Sequence, residues 1–112
     1  VILGGFTGVH QFMRIGAHGM TSVSSVLLQD MPPYVMAAGS PAQPRSINTE
    51  GLKRRGFSPD AIVAIRRAFK TLYKKGLSFE EASTTIAAEA LTVPELDVLA
   101  NFLTQPGRGI IR

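Results

Sequence analysis

The sequence contains no cysteine, no tryptophan and no long apolar run. Without cysteine the chain can form no disulfide, no thiolate metal site and no cysteine nucleophile. No apolar run approaches the ~20 residues of a membrane-spanning helix, and no charged-then-apolar secretory leader opens the chain. The first residue is Val1 rather than methionine. We interpret the sequence as a piece of a longer protein, without a membrane span.

Charged residues are scarce at the start of the chain and unevenly distributed after it. Residues 1–44 hold one base and one acid, residues 45–75 hold nine bases and two acids, and residues 76–112 hold two bases and five acids. The basic middle attracts anions, which can be nucleic acid, acidic protein or a phosphorylated small molecule. Nucleic acid is disfavoured, because no aromatic residue interrupts the run Lys53-Arg54-Arg55.

A six-residue repeat runs through the first part of the chain. Its members are Leu3, Val9, Ile15, Thr21 and Leu27, of which all but the threonine are aliphatic. A helix needs spacings of three and four, and a lone strand needs strict alternation. Period six therefore indicates a parallel β-helix, with aliphatic side chains inward and glycine at the bends or at close approaches. A glycine-rich β segment with accidental spacing is the alternative.

The repeat ends at Pro32 and Pro33, because neither residue can donate a hydrogen bond to a strand ladder. Residues 34–38 are predicted to form one more extended segment. Stacked coils leave unpaired groups at their edge, so another segment must cover this end. We place the β-helix coils and an exit strand at residues 1–47, and a C-terminal helical domain at residues 48–112.

The second part of the chain carries clear signals for helix starts. A short turn is predicted over residues 51–55, and Ser58 is expected to cap the helix that follows. Ser78 and Glu81 form a capping box for the next helix, and Thr92 is expected to cap the last one. Helices of this length cannot bury their apolar stripes alone, so we expect them to pack on each other and on the coils.

Four stretches of the sequence resemble a known family. They are Gly8-Val9-His10-Gln11-Phe12 with Ile15-Gly16-Ala17-His18, Gln29-Asp30-Met31-Pro32-Pro33-Tyr34-Val35, Gly51-Leu52-Lys53-Arg54-Arg55-Gly56-Phe57-Ser58, and Arg108-Gly109-Ile110-Ile111-Arg112. In this order they resemble the bacterial UDP-N-acetylglucosamine acyltransferases that begin lipid A synthesis. The first two stretches are shared by many acyltransferases with six-residue repeats, whereas the last two are much more specific.

The resemblance implies a fold and an activity. The fold is the last coils of a left-handed parallel β-helix followed by a helical domain, in a cytoplasmic homotrimer with active sites between subunits. The activity is transfer of a 3-hydroxyacyl group from acyl carrier protein to the 3-hydroxyl of UDP-N-acetylglucosamine. The general-base histidine of the family lies in an earlier coil, so we assign no catalytic residue to this chain. No cofactor, no metal and no nucleic-acid partner is expected.

The resemblance places six residues at the substrate: His10, Gln11, Asn48, Glu50, Arg54 and Arg55. The two arginines are the strongest candidates, because guanidinium groups form paired, charge-assisted bonds to diphosphate oxygens. The alternatives are a surface role for His10, a helix cap for Asn48 and a helix-start acid for Glu50. His18 has no support from a motif beyond its position, and we expect it to be structural.

Two further surfaces are candidates for contact with the acyl donor. Met20 and Val23 are candidates to line an apolar groove for the acyl chain, although methionine is more often core filler. The basic face of the predicted second helix is a candidate docking site for acidic acyl carrier protein, and a solvated face is the alternative. This face consists of Arg66, Arg67, Lys70 and Lys74.

Two other functions compete with this hypothesis. One is a different acyltransferase with six-residue repeats, acting on another nucleotide sugar or on an amine. The other is a non-enzymatic basic helical module that binds nucleic acid or protein, and it leaves the six-residue repeat without a purpose.

Overall fold

A computed structural model of the chain describes residues 1–105 and 109–112. Arg108, part of the fourth stretch above, lies outside the described residues. Within them, six short strands are followed by four α-helices. The strands are β1 (Ile2–Leu3), β2 (Gly8–Val9), β3 (Met20–Thr21), β4 (Val26–Leu27), β5 (Val35–Ala38) and β6 (Gln43–Ile47). The helices are α1 (Thr49–Arg54), α2 (Pro59–Tyr73), α3 (Phe79–Ala90) and α4 (Asp97–Thr104), the last preceded by a 3-10 turn (Pro94–Leu96).

The first five strands stack as coils with three faces. β1, β3 and β5 lie side by side as parallel strands on one face, and β2 pairs in parallel with β4 on the second. A parallel bridge between Ile15 and Met31 forms the third face. Ile2 pairs with Met20, eighteen residues further along the chain, so one coil takes three six-residue units. The six-residue repeat thus corresponds to one face of the coil.

The inward positions of the repeat lie in register from coil to coil. Leu3 is paired with Thr21, and Val9 is paired with Leu27. Thr21 and Leu27 have no exposed surface, whereas Leu3 and Val9, on the outermost coil, are 45% and 40% exposed. The inward orientation predicted from the repeat therefore holds where a coil is covered on both sides.

The positive φ at the bends between the faces does not fall on glycine, contrary to the expectation from the sequence. Positive φ falls on Phe6 (59°), Phe12 (67°), His18 (60°) and Ser24 (58°), again every six residues. Residues other than glycine seldom adopt this conformation, so here the coil geometry overrides local preference. Glycine serves close approach instead: a Cβ on Gly16 would lie 2.2 Å from the backbone nitrogen of Pro33.

Three different segments cover the far end of the coils. Strand β6 pairs in antiparallel fashion with β5. The backbone N–H of Ala42 donates to the carbonyl oxygen of Val26 at 2.7 Å, on the second face. On the third face, Ile110 forms a parallel bridge with Asp30, and the N–H of Ile111 donates to the Asp30 carbonyl at 2.8 Å. Backbone groups that the last coil would leave unpaired are thus satisfied by the rest of the chain.

Most of the helix starts expected from the sequence are present. Ser58 caps α2, and Ser78 and Glu81 exchange both bonds of a capping box at α3. The cap expected from Thr92 is wrong, because its hydroxyl donates to the Glu89 carbonyl at the end of α3. The 3-10 turn that leads into α4 has no side-chain cap.

One apolar core joins the coils to the helices. Because the core is shared, the division into residues 1–47 and 48–112 stays a prediction, although β6 ends and α1 begins at that boundary. Core members with at most 1% of their surface exposed include Leu27, Met31, Leu52, Ile65 and Ile86.

Candidate functional site

Helix α1 and its C-cap present three consecutive exposed cations, Lys53, Arg54 and Arg55. We call them the α1 cations. Neither of the two ion pairs found among the described residues involves them. The helix that carries them is fixed by Leu52, which is fully buried. Exposed guanidinium groups on a fixed helix are suited to meet a diphosphate with paired, charge-assisted bonds.

Asn48 is buried and its amide is already engaged in the fold. The side-chain oxygen accepts from the Gly51 N–H at 3.3 Å and caps α1. The side-chain nitrogen donates to the His18 carbonyl at 3.1 Å and ties the start of α1 to a coil. Glu50 is exposed in the first turn of the same helix, where an acid favours the positive helix end. Both structural alternatives weighed in the sequence are therefore real, and substrate binding by these two residues stays a prediction.

An aromatic cluster that the sequence did not reveal lies under α1. The ring of His18 stacks on Tyr34 with centroids 5.7 Å apart and planes 7° apart. The Phe57 ring lies nearly perpendicular to both, with its centroid 5.0 Å from that of His18 and 5.9 Å from that of Tyr34. Burial lowers the pKa of His18, and the nearby charge of Arg55 lowers it further. The one signal in the sequence was the spacing of His18, which continues the bend positions at residues 6 and 12.

His10 and Gln11 are exposed and lie at a different bend from α1. The backbone N–H of His10 donates to the Leu27 carbonyl at 2.9 Å, and the His10 Nδ1 lies 3.1 Å from the Gln11 carbonyl oxygen. These residues precede the bend at Phe12, whereas α1 is attached at the bend of His18. Within the described residues no contact joins the first pair to the α1 cations, so a single chain does not bring the predicted substrate residues together.

Met20 and Val23 lie on the outer side of the coils. Thr21 points inward and is fully buried, so its neighbour Met20 in β3 faces outward, where it is half-buried. Val23 is 64% exposed, next to the bend at Ser24. Their position is compatible with the lining of an external groove, and the role stays a prediction.

The basic face of α2 borders a groove of about 270 Å³ between α2 and β6. Its apolar floor includes Ile47 and Phe69. Two of the four cations predicted on this face have partners: Arg66 donates to the Thr49 hydroxyl at 3.2 Å, and Arg67 pairs with Glu89 at 3.3 Å. The cations that line the groove are Arg45, Arg66, Lys70 and Lys74.

The contacts made by Arg14 were not predicted from the sequence. Its Nε donates to the Asp30 carboxylate at 2.8 Å, and Asp30 is almost fully buried. The same guanidinium lies 4.3 Å from the Phe102 ring centroid and donates to the Phe102 carbonyl and the Gln105 side chain. Arg14 thus joins the coils to the end of α4. The presence of one base and one acid in an otherwise uncharged segment could have suggested the pair.

Comparison with known proteins decides the family. The profile described as UDP N-acetylglucosamine O-acyltransferase, domain 2, matches residues 30–111. The chain belongs to this family. It is 55% identical over 111 residues to the acyl-[acyl-carrier-protein]–UDP-N-acetylglucosamine O-acyltransferase of Thiobacillus denitrificans, covering 99% of this chain and 43% of the relative.

Solved structures of UDP-N-acetylglucosamine acyltransferases have the same fold. LpxA from Acinetobacter baumannii superposes with a TM-score of 0.93 at 41% identity, over 99% of this chain and 44% of that one. The Francisella novicida enzyme gives 0.94 at 38% identity, over 98% and 41%. The left-handed β-helix followed by helices is thereby confirmed, as is the family resemblance. The chain spans less than half the length of these relatives.

Two further findings concern the part of the chain that the structure describes. No helix in it is long and apolar enough to cross a membrane. No group of three or more His, Asp and Glu side chains in it could hold a metal ion. The cytoplasmic location and the six predicted substrate contacts of this acyltransferase family member stay predictions.

Proposed function

We propose that this chain is the C-terminal part of an enzyme that transfers a 3-hydroxyacyl group to the 3-hydroxyl of UDP-N-acetylglucosamine, the first step of lipid A synthesis. Relatives that match nearly the whole chain are named for acyl carrier protein as donor and this nucleotide sugar as acceptor. Within the chain, the observation that carries the proposal is the pair of exposed arginines at the end of α1, Arg54 and Arg55, which have no ion-pair partner among the described residues.

In the proposed reaction the 3-hydroxyl oxygen attacks the thioester carbonyl carbon. A histidine base takes the hydroxyl proton, and the carrier's sulfur leaves as the C–S bond breaks and then receives a proton. We assign that base to an earlier coil. The share of this chain is to hold the acceptor: Arg54 and Arg55 bind the diphosphate, while Glu50 accepts a hydrogen bond from the sugar or the base.

The proposed enzyme is a homotrimer with its sites between protomers. His10 and Gln11 lie near one bend of the coil and α1 is attached at another, so a neighbouring protomer is needed to join the two halves of the site. Large apolar side chains on the coils support such contacts, since they are exposed well beyond the scattered level usual on a surface. These are Phe6 (92% exposed), Phe12 (77%), Val23 (64%) and Leu28 (51%).

The donor protein is proposed to dock at the groove between α2 and β6. Acyl carrier protein is acidic, and the groove is lined by cations around an apolar floor. Complementary charge accelerates encounter and orients the partner, so transfer would slow as salt is raised.

Replacement of Arg54 tests the acceptor site. In the complete enzyme, Arg54→Ala removes a charge-assisted bond to the diphosphate, so the KM for UDP-N-acetylglucosamine should rise by about tenfold. The thermal midpoint should stay the same, because the side chain is exposed. Steady-state kinetics with 3-hydroxyacyl-loaded acyl carrier protein as donor measure kcat, the KM for UDP-N-acetylglucosamine and the KM for the donor.

The neighbouring Lys53→Ala is the matched control. It removes an exposed positive charge from the same helix without removing a guanidinium group, and it should change the KM for the nucleotide sugar by less than about twofold. Equal effects of the two variants, or no effect of Arg54→Ala, would contradict the assignment of Arg54.

A further inference from the structure

The start of α1 is bound to the backbone carbonyls of two stacked bends of the β-helix. The N–H of Asn48 donates to the Tyr34 carbonyl at 2.8 Å, and its side-chain nitrogen donates to the His18 carbonyl at 3.1 Å. Both acceptors are bend residues with positive φ, 60° at His18 and 70° at Tyr34. Two stacked bends of successive coils thus hold the first residue of this segment.

The end of α1 returns to the same two residues through Phe57. Phe57 follows the C-cap Arg55 by two positions, and its N–H donates to the Leu52 carbonyl at 3.1 Å. Its ring packs against His18 and Tyr34 in T-shaped contacts, with interplanar angles of 78° and 77°. Centroid distances of 5.0 and 5.9 Å lie within the range of favourable aromatic pairs. The helix with the α1 cations is therefore attached to His18 and Tyr34 at both ends.

The ring of His18 contacts Tyr34 and Phe57 through aromatic packing and not through hydrogen bonds. In the described part of the chain neither imidazole nitrogen has a hydrogen-bond partner, and the bond from Asn48 goes to the His18 carbonyl. Burial and the charge of Arg55 lower the pKa of His18 from 6.5, which favours the neutral ring beside the guanidinium. A neutral ring packs against Phe57 without repelling the cations that follow Leu52.

We propose that His18 is a positioning residue: its ring, packed against both Tyr34 and Phe57, holds α1 so that Arg54 and Arg55 keep their orientation toward the nucleotide diphosphate. This inference rests on the proposed function, and it gives a role in substrate binding to a residue that the sequence alone marked as structural. His18 itself touches no substrate in this proposal.

Two substitutions separate the ring from its nitrogens. His18→Phe keeps an aromatic ring, and Phe6 and Phe12 already occupy equivalent bends at φ 59° and 67°, so the backbone accepts phenylalanine there. His18→Ala removes the ring. In the complete enzyme we expect His18→Ala to raise the KM for UDP-N-acetylglucosamine about threefold to tenfold, as for the loss of an aromatic contact. The kcat and the KM for acyl carrier protein should stay within about twofold, and His18→Phe should resemble the wild type.

Amide hydrogen exchange of the same proteins gives a reading that is independent of activity. The amides of residues 49–54 should exchange faster in His18→Ala than in the wild type or in His18→Phe. If His18→Phe is as impaired as His18→Ala, the nitrogens matter rather than the ring, and the inference is wrong. It is also wrong if His18→Ala lowers the melting temperature but leaves both the exchange of α1 and the KM unchanged.

The proposed function can fail separately. If the wild-type enzyme transfers no acyl group to UDP-N-acetylglucosamine, the function is wrong, while the exchange of residues 49–54 still supports or overturns the role of His18 in holding α1.

Discussion

The coils and the basic middle of the chain use charge in opposite ways. Residues 1–44 contain one base and one acid, and these form a single ion pair with an N–O distance of 2.8 Å. Residues 45–75 contain nine bases, and among the described residues only Arg67 forms an ion pair. The scarce charges stabilise the fold, whereas most of the abundant ones form no ion pair within the described residues. The number of charges in a region therefore does not indicate which of them the fold needs.

Removing the scarce base should have the largest effect. Arg14→Met leaves the Asp30 carboxylate buried without its partner, and it also removes the donor to the end of α4. We expect a loss of about 3 kcal/mol in the free energy of unfolding, which is the lower end for a broken buried pair because Arg14 is partly exposed. Equilibrium denaturation with urea measures this change.

Its counterpart among the abundant bases is Arg67→Met. This pair with Glu89 is exposed, so its loss should cost less than about 1 kcal/mol. Equal losses in the free energy of unfolding for Arg14→Met and Arg67→Met would contradict the contrast between the coils and the basic middle.

The second way to test the contrast concerns the backbone of the coils. Gly16→Ala would place a Cβ 2.2 Å from the Pro33 nitrogen, so backbone must shift, and we expect a loss of about 1–3 kcal/mol. Gly5→Ala is the control, because its Cβ would meet only the Val23 side chain at 3.7 Å. Denaturation midpoints that are the same for the two variants would show that the coils tolerate a side chain at the close approach.

The smallest effect is expected from pH. The pKa of His18 is lowered from 6.5, mainly by burial. Between that lowered value and 6.5 the unfolded chain binds more protons than the folded one, so stability rises with pH and becomes level above about pH 6.5. Acid should therefore destabilise the wild type relative to His18→Phe.

Melting temperatures of the wild type and of His18→Phe, measured between about pH 5 and 8, test this expectation. The charged side chain that faces His18 is a cation, Arg55. Tyr34 stays neutral in this range, because burial raises its pKa to about 12. A difference in melting temperature that does not change with pH would contradict the prediction.

Several features of this chain followed from local sequence. The repeat of aliphatic residues predicted which positions point inward, because one face of the coil takes six residues and the aliphatic residues recur at that spacing. Ser58, Ser78 and Glu81 marked helix starts, because caps act within a few residues. The cap predicted at Thr92 was wrong, since the hydroxyl had a second local acceptor at Glu89.

Contacts that join distant segments of the chain could not be predicted from local sequence. The position of α1 depends on His18 and Tyr34, which lie at bends of successive coils. The bridge between Asp30 and Ile110 joins residues that lie 80 positions apart in the sequence. No spacing rule relates such positions, because their proximity depends on how the coils stack.

The sequence by itself determined the β-helix, most of the helix boundaries and the family, because each rests on short-range pattern or on recognisable motifs. Only the tertiary structure decided that positive φ at the regular bends falls on residues other than glycine and that Asn48 serves the fold. It also decided which cations stay unpaired. The physical reason is that backbone conformation at a bend and the partner of a charge are set by neighbours in space, and folding brings these together from coils and helices far apart in the chain.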